Sequence, residues 1–329
     1  MSQSLKNGFN IISREEQPDM FLSAISRFDI TAEQFNLTLK YRNSVADEKF
    51  HDLSFYIAQN NDIKLIVPCH KTGNVLHFNN APLCFFGDTQ NKKIIRLAYD
   101  ELIRCGKEIG AKSIAIADHT TERALSVTGS EAFQRDGIPI CRLESAIDLS
   151  QNEETIKSHL RESYKSLINQ TRRDMAFTVL SQDNADRKLF DDFKQFHLKV
   201  SGRQTRPEES WNVQFEMIEA GCAEVVLGHV EPHGLVSSAL FTDLGKTTTY
   251  AVAVYDRELF KQRSLAHANV YEGIIRAKNR GQQRFLLGNV APRGTVTEKE
   301  YSIGIFKKGF SHRLDSYIEW QIPIMESGT

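Results

Sequence analysis

The chain has 329 residues, 40% of them hydrophobic and 25% charged, with a formal net charge of −1. That length suits about two domains, each with a sizeable core. The near-zero charge excludes a global basic field for nucleic acid and leaves only a local basic patch open.

The five cysteines are Cys69, Cys84, Cys105, Cys141 and Cys222. Their number is odd and no pair has CxxC spacing. No zinc knuckle, other metal site or disulfide framework is therefore expected. Free thiols suit a reducing compartment. Residues 1–10 are polar, without an apolar leader core. No run approaches the about 18 apolar residues of a membrane-spanning helix. The expectation is a soluble cytoplasmic protein with no membrane span.

In chain order, the first clear pattern is 53–69, LSFYIAQNNDIKLIVPC. Two apolar runs flank Asn60-Asn61-Asp62, which predicts a β-hairpin. Helical spacing follows over 91–109, with Ile94, Ile95, Leu97, Ala98, Leu102, Ile103 and Ile109 apolar. Gly110 stops that helix and Ser113–Ala117 reads as a short strand. Residues 153–173 read as one helix with Ile156, Leu160, Tyr164, Leu167 and Ile168 on a single face. Arg161, Lys165, Arg172 and Arg173 occupy the rest of it. That face either meets tRNA phosphates or is simply solvated. Two more helices are expected at 186–200 and 209–220.

The first pattern then returns. Residues 225–241, VVLGHVEPHGLVSSALF, are again run, turn and run, with Pro232-His233-Gly234 at the turn. A strand spans Thr247–Val254. A helix over 262–280, a stop at Gly281 and a strand Arg284–Leu287 follow. The two sets keep the same spacing to within a residue, which predicts an internal repeat. The C-terminal segment combines a Lys307-Lys308-Gly309 turn with a strand over 317–324.

Three stretches carry a resemblance. They are Leu160–Gln170, the run LAHANVYEGIIRAKNRGQQRFLLG from Leu265 to Gly288, and the ending Gly304-Ile305-Phe306-Lys307-Lys308-Gly309-Phe310. Together they resemble the FemAB-like group of the GNAT superfamily, over roughly Asp52 to Trp320. The resemblance implies an α/β (α+β) architecture of two tandem GNAT-like modules. Each would be a mixed, mainly antiparallel sheet flanked by helices. Residues 1–150 would form a non-catalytic module shaping an acceptor groove, and 151–329 the catalytic module.

One departure bears on the donor. GNAT modules that bind acetyl-CoA usually carry a Q/R-x-x-G-x-G/A loop before the long helix, whose backbone N–H groups hold a pyrophosphate. Here Arg257 to Ser264, RELFKQRS, has no glycine. Fem-type enzymes, which take the acyl group from aminoacyl-tRNA, also lack that loop.

Acyl transfer to an amine needs a neutral amine, a stabilised carbonyl oxygen and two partners held together. The resemblance implies that Lys307 lies by the donor and stabilises developing negative charge, with Phe306 beside it as wall or core. The alternative for Lys307 is an exposed turn lysine. Tyr255 and Asp256, ending a strand, are placed to handle a proton, or Asp256 is a turn aspartate. Arg203 and Arg206 beside Trp211 suit a phosphate or carboxylate clamp. The same stretch also reads as a helix start at Pro207 with Glu208 and Glu209. His267 lies early on the long helix, where a donor approaches, and Asn289 follows the strand. His197, His229 and His233 lack partners at metal spacing, and His77, Asp118 and His119 fall in the first module.

The expected function is transfer of an acyl group from acetyl-CoA or another acyl-CoA to an amine. The acceptor expected is a nucleotide-linked amino sugar of surface polysaccharide, within the cell envelope pathway. The alternatives are an aminoacyl-tRNA-dependent Fem-type transferase and a non-catalytic tandem binding protein. Oligomeric state is not legible.

Overall fold

The computed structural model describes residues 3–5, 8–119, 124–261 and 263–325. Strands β1 (Gln3–Leu5) and β2 (Phe9–Ser13) precede helices α1 (Pro18–Ile25) and α2 (Ala32–Ser44). The predicted hairpin is β3 (Phe55–Gln59) and β4 (Asp62–Val67). Asn60 and Asn61 join them with φ of 51° and 65°, the left-handed pair that a tight hairpin turn requires. Then come β5 (His70–Thr72), β6 (Val75–His77), β7 (Phe86–Gly87), α3 (Lys92–Glu108), β8 (Ser113–Asp118), α4 (Val127–Phe133) and β9 (Ile138–Asp148).

Two helices, α5 (Glu153–Ser158) and α6 (Glu162–Asp174), lead into β10 (Ala176–Leu180), α7 (Arg187–Ser201) and α8 (Glu208–Glu219). The long strands β11 (Ala223–Val230), β12 (Gly234–Leu244) and β13 (Thr247–Tyr255) follow. The chain closes with α9 (Arg257–Phe260), α10 (Ala266–Asn279), β14 (Arg284–Val290), α11 (Glu298–Lys308) and β15 (Asp315–Pro323). Among the described residues no helix is long and apolar enough to cross a membrane.

The repeat is broader than the sequence suggests. The order β2-α1-α2-β3-β4-β7-α3-β8-α4-β9 recurs as β10-α7-α8-β11-β12-β13-α10-β14-α11-β15. The β5–β6 hairpin is an insertion in the first copy, and α9 in the second.

By its contacts the chain divides into Met1–Arg142 with Ser316–Thr329, and Leu143–Asp315. The first unit holds the sheet β1-β2-β3-β4-β7 and the strand order β15-β8-β6-β5. The second holds the order β10-β11-β12-β13-β14-β9. β15 falls in the first unit because it pairs antiparallel with β8, Trp320 opposite Ile116. The end of β9 falls in the second because it pairs with β14, Ile147 opposite Phe285. The end of β9 and nearly all of β15 thus each belong to the unit built mainly by the other half of the sequence.

Each unit has its own apolar core. In the first, Ile57, Leu65, Ile94, Leu102, Ile116 and Trp320 meet. In the second, Ile168, Val226, Phe241, Ile274, Phe285 and Phe310 do. The second core is bordered by a buried ion network. Arg276 grips Glu224 with two hydrogen bonds of 2.9 Å each. Arg280 bonds both Glu224 and Asp243, and Thr248 donates to Asp243 at 2.5 Å.

Two expectations are corrected. The single helix at 153–173 is two helices, because the Arg161 N–H bonds the Gly309 carbonyl at 2.8 Å instead of continuing the first helix. The apolar series Ile156, Leu160, Tyr164 keeps helical spacing across the break, so periodicity hides it. The Lys307-Lys308-Gly309 turn is the end of α11. Thr297 and Glu300 form a capping box that starts this helix, and Gly309 is its C-cap. Phe306 and Lys307 therefore stand on a rigid helix, not in a turn.

Candidate active site

The site is built where two parallel strands part. β13 and β14 pair at Thr247–Arg284, Thr248–Phe285 and Thr249–Leu286, and then diverge. At that point the β14–β9 pairing shifts register between Leu286 and Gly288. Gly288 has φ +99°, a value other residues rarely adopt. Beyond it, Tyr250–Tyr255 and Leu287–Val290 no longer pair with each other. The result is a wedge whose facing backbone edges are open to an extended ligand.

Helix α11 lays its last turn along β14. A β-carbon at Gly288 would lie 3.0 Å from Lys307 Nζ, so the lysine amine occupies the space over that bare backbone. Lys307 is half-buried, and burial lowers its pKa below the usual lysine value. It has no acidic partner among the described residues.

Lys307 is held from both flanks. Tyr164 Oη donates to the Phe306 carbonyl at 3.1 Å. Ser145 Oγ donates to the Lys307 carbonyl at 3.0 Å, and Ser311 Oγ donates to the Ala146 carbonyl at 2.8 Å. The Tyr164 ring sits against Gly309, where a β-carbon would come within 2.2 Å of Cε2. Gly309→Ala is therefore expected to push Tyr164 off the α11 terminus at about 1–3 kcal/mol. Denaturant unfolding checks this; an unchanged midpoint would contradict the packing described.

Phe306, on the turn of α11 that carries Lys307, and Phe310, just beyond it, belong to an aromatic cluster. The Tyr164 and His267 rings are 4.2 Å apart, edge to face. Phe306 is 5.2 Å from His267 and 5.2 Å from Phe310. Tyr164 completes the group 5.1 Å from Phe310. His267 Nδ1 and Ser264 Oγ share a hydrogen bond. Burial, then the charge of Arg161, lowers the His267 pKa from 6.5 to about 4.

The sign follows from that depression. A group that folding holds neutral contributes stability above its unfolded pKa and loses it as pH falls through the folded one. Between pH 6.5 and about 4, His267 therefore weakens the fold. His267→Phe is expected to flatten part of this acid loss, with the slope left by His70, His77 and His197 remaining, since burial lowers all three. Thermal unfolding across that window checks it. Parallel curves for variant and wild type would remove His267 from the account.

Of the residues singled out in the sequence, Phe306 and His267 meet in this cluster, and Lys307 follows Phe306 on α11. Asn289 is exposed on β14, next to Gly288. Tyr255 is at the end of β13, its hydroxyl 2.6 Å from that of Tyr250. Burial pushes the Tyr250 pKa up to about 12 and raises that of Tyr255 well above its usual value, so both keep their protons at neutral pH. Asp256 caps α9, accepting from the Glu258 and Leu259 N–H groups at 3.0 Å each.

Arg203, Arg206 and Trp211 lie elsewhere in the same unit. Trp211 is fully buried against Phe193 of α7, with the Arg206 guanidinium 4.8 Å over its ring. Arg203 is exposed in the loop between α7 and α8. The first half of the segment Arg257–Ser264 is α9, and its Gln262 lies outside the described residues. Several of its N–H groups are already used, Phe260 on Asp256, Lys261 on Glu258 and Arg263 on Leu259.

Sequence reasoning missed other features. Tyr164 was legible only as a core position, and Ser145 carried no signal. A cavity of about 300 Å³ is bordered by Leu189, Asp192, Gln195 and Lys199 of α7 and by His229 and Leu235. It lies on the sheet face opposite α10, because Leu227 lines it while the adjacent Val226 packs with the α10 residues. Helical spacing marks the α7 stripe only in retrospect.

The first unit treats the matching strand differently. The edge of β8 is taken by β6, Val75 and Leu76 beside Ser113 and Ile114. Leu83 extends this, its N–H bonding Ala115 at 2.7 Å and its carbonyl accepting from Ala117 at 2.9 Å. Leu83, beyond the inserted hairpin, thus bonds the stretch Ala115–Ala117 of β8.

No family model and no curated protein sequence matches the chain. Solved structures do. The structure of FemX matches with a TM-score of 0.62 at 13% identity, covering 98% of this chain and 97% of that one. The structure of L-PGS from Bacillus licheniformis matches with a TM-score of 0.60 at 12% identity, covering 94% and 93%. A tandem GNAT protein from the clavulanic acid biosynthesis pathway matches with a TM-score of 0.56 at 9% identity, covering 97% and 100%. At such identities the likeness is one of fold. The chain has the FemAB-like tandem GNAT fold over nearly its whole length.

Proposed function

We propose that the second unit transfers an acyl group from an activated ester or thioester to an amine, with the donor carbonyl in the β13–β14 wedge. The observation that carries this reading is Lys307, a half-buried cation with no acidic partner among the described residues, set over the bare backbone of Gly288. A cation fixed in a partly dry site stabilises the oxygen on which negative charge develops. Tyr164 and Ser145 act as positioning residues through the α11 backbone. The open edges of β13 and β14 hold the donor extended, and the acceptor amine must arrive neutral. The α7-side cavity, with the Asp192 carboxylate at its border, suits a small polar amine such as an amino sugar. The first unit, its β8 edge filled by its own chain, serves as the non-catalytic partner.

An aminoacyl ester of tRNA is the donor that best fits this chain. The N–H groups of Phe260, Lys261 and Arg263 are spent on the Asp256, Glu258 and Leu259 carbonyls and do not serve a pyrophosphate. Arg161, Arg173, Arg257 and Arg263 are exposed, with no acidic partner among the described residues. Thr171 of α6 bonds the Ser264 carbonyl at 2.8 Å, which ties the α6 end carrying Arg173 to the start of α10. Such charges suit a polyanion's phosphates. FemX and L-PGS are the two structural relatives of highest TM-score among those given above.

The second reading keeps a CoA thioester as donor and a nucleotide-linked amino sugar of surface polysaccharide as acceptor. The wedge and the small cavity favour it. Parallel assays separate the two. One follows loss of the amino acid from charged tRNA, and the other follows thiol release from acetyl-CoA with amino-sugar nucleotides. Turnover in the first arm is expected. Turnover in the second alone would transfer the assignment to CoA, and inactivity in both would leave the tandem fold as a binding protein.

A further inference from the structure

We propose that Lys307 is itself an acyl acceptor: an activated acyl group held in the wedge without its amine substrate is captured by Lys307 Nζ, and the site is silenced. This rests on the reading of the wedge as the donor site. Three features of the amine support it.

The first is position. Nζ lies over Gly288, where no side chain stands between the amine and the strand edge along which a donor would run. The second is freedom. Several partly buried lysines are occupied, Lys71 by Glu48, Lys165 by Glu162, Lys194 by Glu208, and Lys278 by the Leu149 carbonyl. Lys307 Nζ has no such partner among the described residues. The third is surroundings. The amine is half-buried on the helix turn that carries Phe306, and burial shifts it toward the neutral, nucleophilic form.

The chemistry balances without another reactant. The nitrogen lone pair attacks the donor carbonyl carbon and a C–N bond forms. The C–S bond of a thioester, or the C–O bond of an ester, breaks. The leaving group departs as thiol or alcohol and carries away the proton lost from nitrogen. The product amide is neutral, so the wedge loses the cation that stabilised its oxyanion. Occupancy by the true amine acceptor competes with this capture. The order of loading then matters, with donor alone leading to a blocked protein.

Lys308 provides an internal reference, since it adjoins Lys307 but is exposed. The full chain is treated with the acetyl thioester of N-acetylcysteamine and, separately, with acetyl-CoA, and acetylation of each lysine is followed by peptide mass spectrometry. Lys307 is expected to gain its acetyl group at least about tenfold faster than Lys308 with the small thioester, because the wedge holds the donor beside its amine. Equal or slower labelling of Lys307 would overturn the proposal. Selective labelling by the small thioester with none by acetyl-CoA would uphold capture by Lys307 and reject CoA as the donor. Lys307→Arg checks the assignment, because it must remove that mass increment and no other.

Discussion

Lys307→Met is expected to lower acyl transfer by about 10²–10³-fold, the usual consequence of removing one preorganised group that stabilises an oxyanion. The methionine keeps the length of the side chain and its apolar stem. No ion pair with a described residue is broken, so folding should be affected little, and half-burial of an uncharged side chain carries no desolvation penalty. Thermal unfolding of the variant should lie within a few degrees of wild type. The loss should fall mainly on kcat, because the charge matters most when the carbonyl oxygen becomes negative. Tyr164→Phe keeps the aromatic cluster but deletes the hydroxyl that holds the Phe306 carbonyl, and should lower kcat by a smaller factor. If Lys307→Met transfers at the wild-type rate, the wedge lysine has no part in the chemistry.

The largest effect on stability is expected at Arg280. Its guanidinium lies between Glu224 and Asp243, whose side chains are 6% and 2% exposed. Arg280→Ala leaves Asp243 with the Thr248 hydroxyl alone. Removing one member of a buried ion network strands the other, at a cost of about 3–5 kcal/mol. Arg293→Ala is the control, since its pair with Glu298 is exposed on both sides and exposed pairs contribute about 0–1 kcal/mol.

The pH dependence of the Arg280 effect has a definite sign. Burial raises the Asp243 pKa despite the opposing pull of Arg280. A carboxyl raised in the folded state favours folding in its protonated form, and that contribution is lost as pH rises through the folded value. The penalty of Arg280→Ala should therefore shrink as the medium becomes acid enough to protonate Asp243. Guanidinium unfolding at neutral and acid pH measures it. A penalty equal to that of Arg293→Ala would show that the network is not needed for stability.

Much of the fold could be read from the sequence because the second copy repeats the spacing of the first. The Asn60-Asn61 turn, the helix stops at Gly110 and Gly281 and the paired apolar runs are local signals, and the structure has each where the sequence predicts it. Features that need tertiary structure carry no such signal. α2 buries chiefly Phe35 and Leu39 with Thr38, too few apolar positions to mark a helical face. β9 has an exposed first half, so it shows no clean alternation. The exchange of the end of β9 and of β15 between the units depends on which edge is unpaired, which no single segment encodes. The α11 capping box at Thr297 and Glu300 is a local signal, whereas the Lys-Lys-Gly run that follows mimics a turn.

The candidate site divides the same way. Lys307 and Phe306 were found through a resemblance in the final motif, and His267 through its place early on the long helix. Tyr164 looked like one more apolar position, since its hydroxyl partner, the Phe306 carbonyl, is 142 residues away. Gly288 was visible as a residue, but its function as a gap beneath Lys307 is a matter of distance. Trp211 and Arg206 are paired as their spacing suggests, yet the tryptophan is inside the α7–α8 core.

The claim at the centre is that the donor sits between β13 and β14 of the second unit. Binding of each candidate donor to the full chain, measured by calorimetry for wild type and Gly288→Val, tests it most directly. A branched side chain there meets both a positive φ and the Lys307 amine. Wild type is expected to bind charged tRNA or an acyl-CoA, and Gly288→Val, still folded by circular dichroism, to lose that binding. Equal affinity in the two proteins would place the donor outside the wedge and contradict the account.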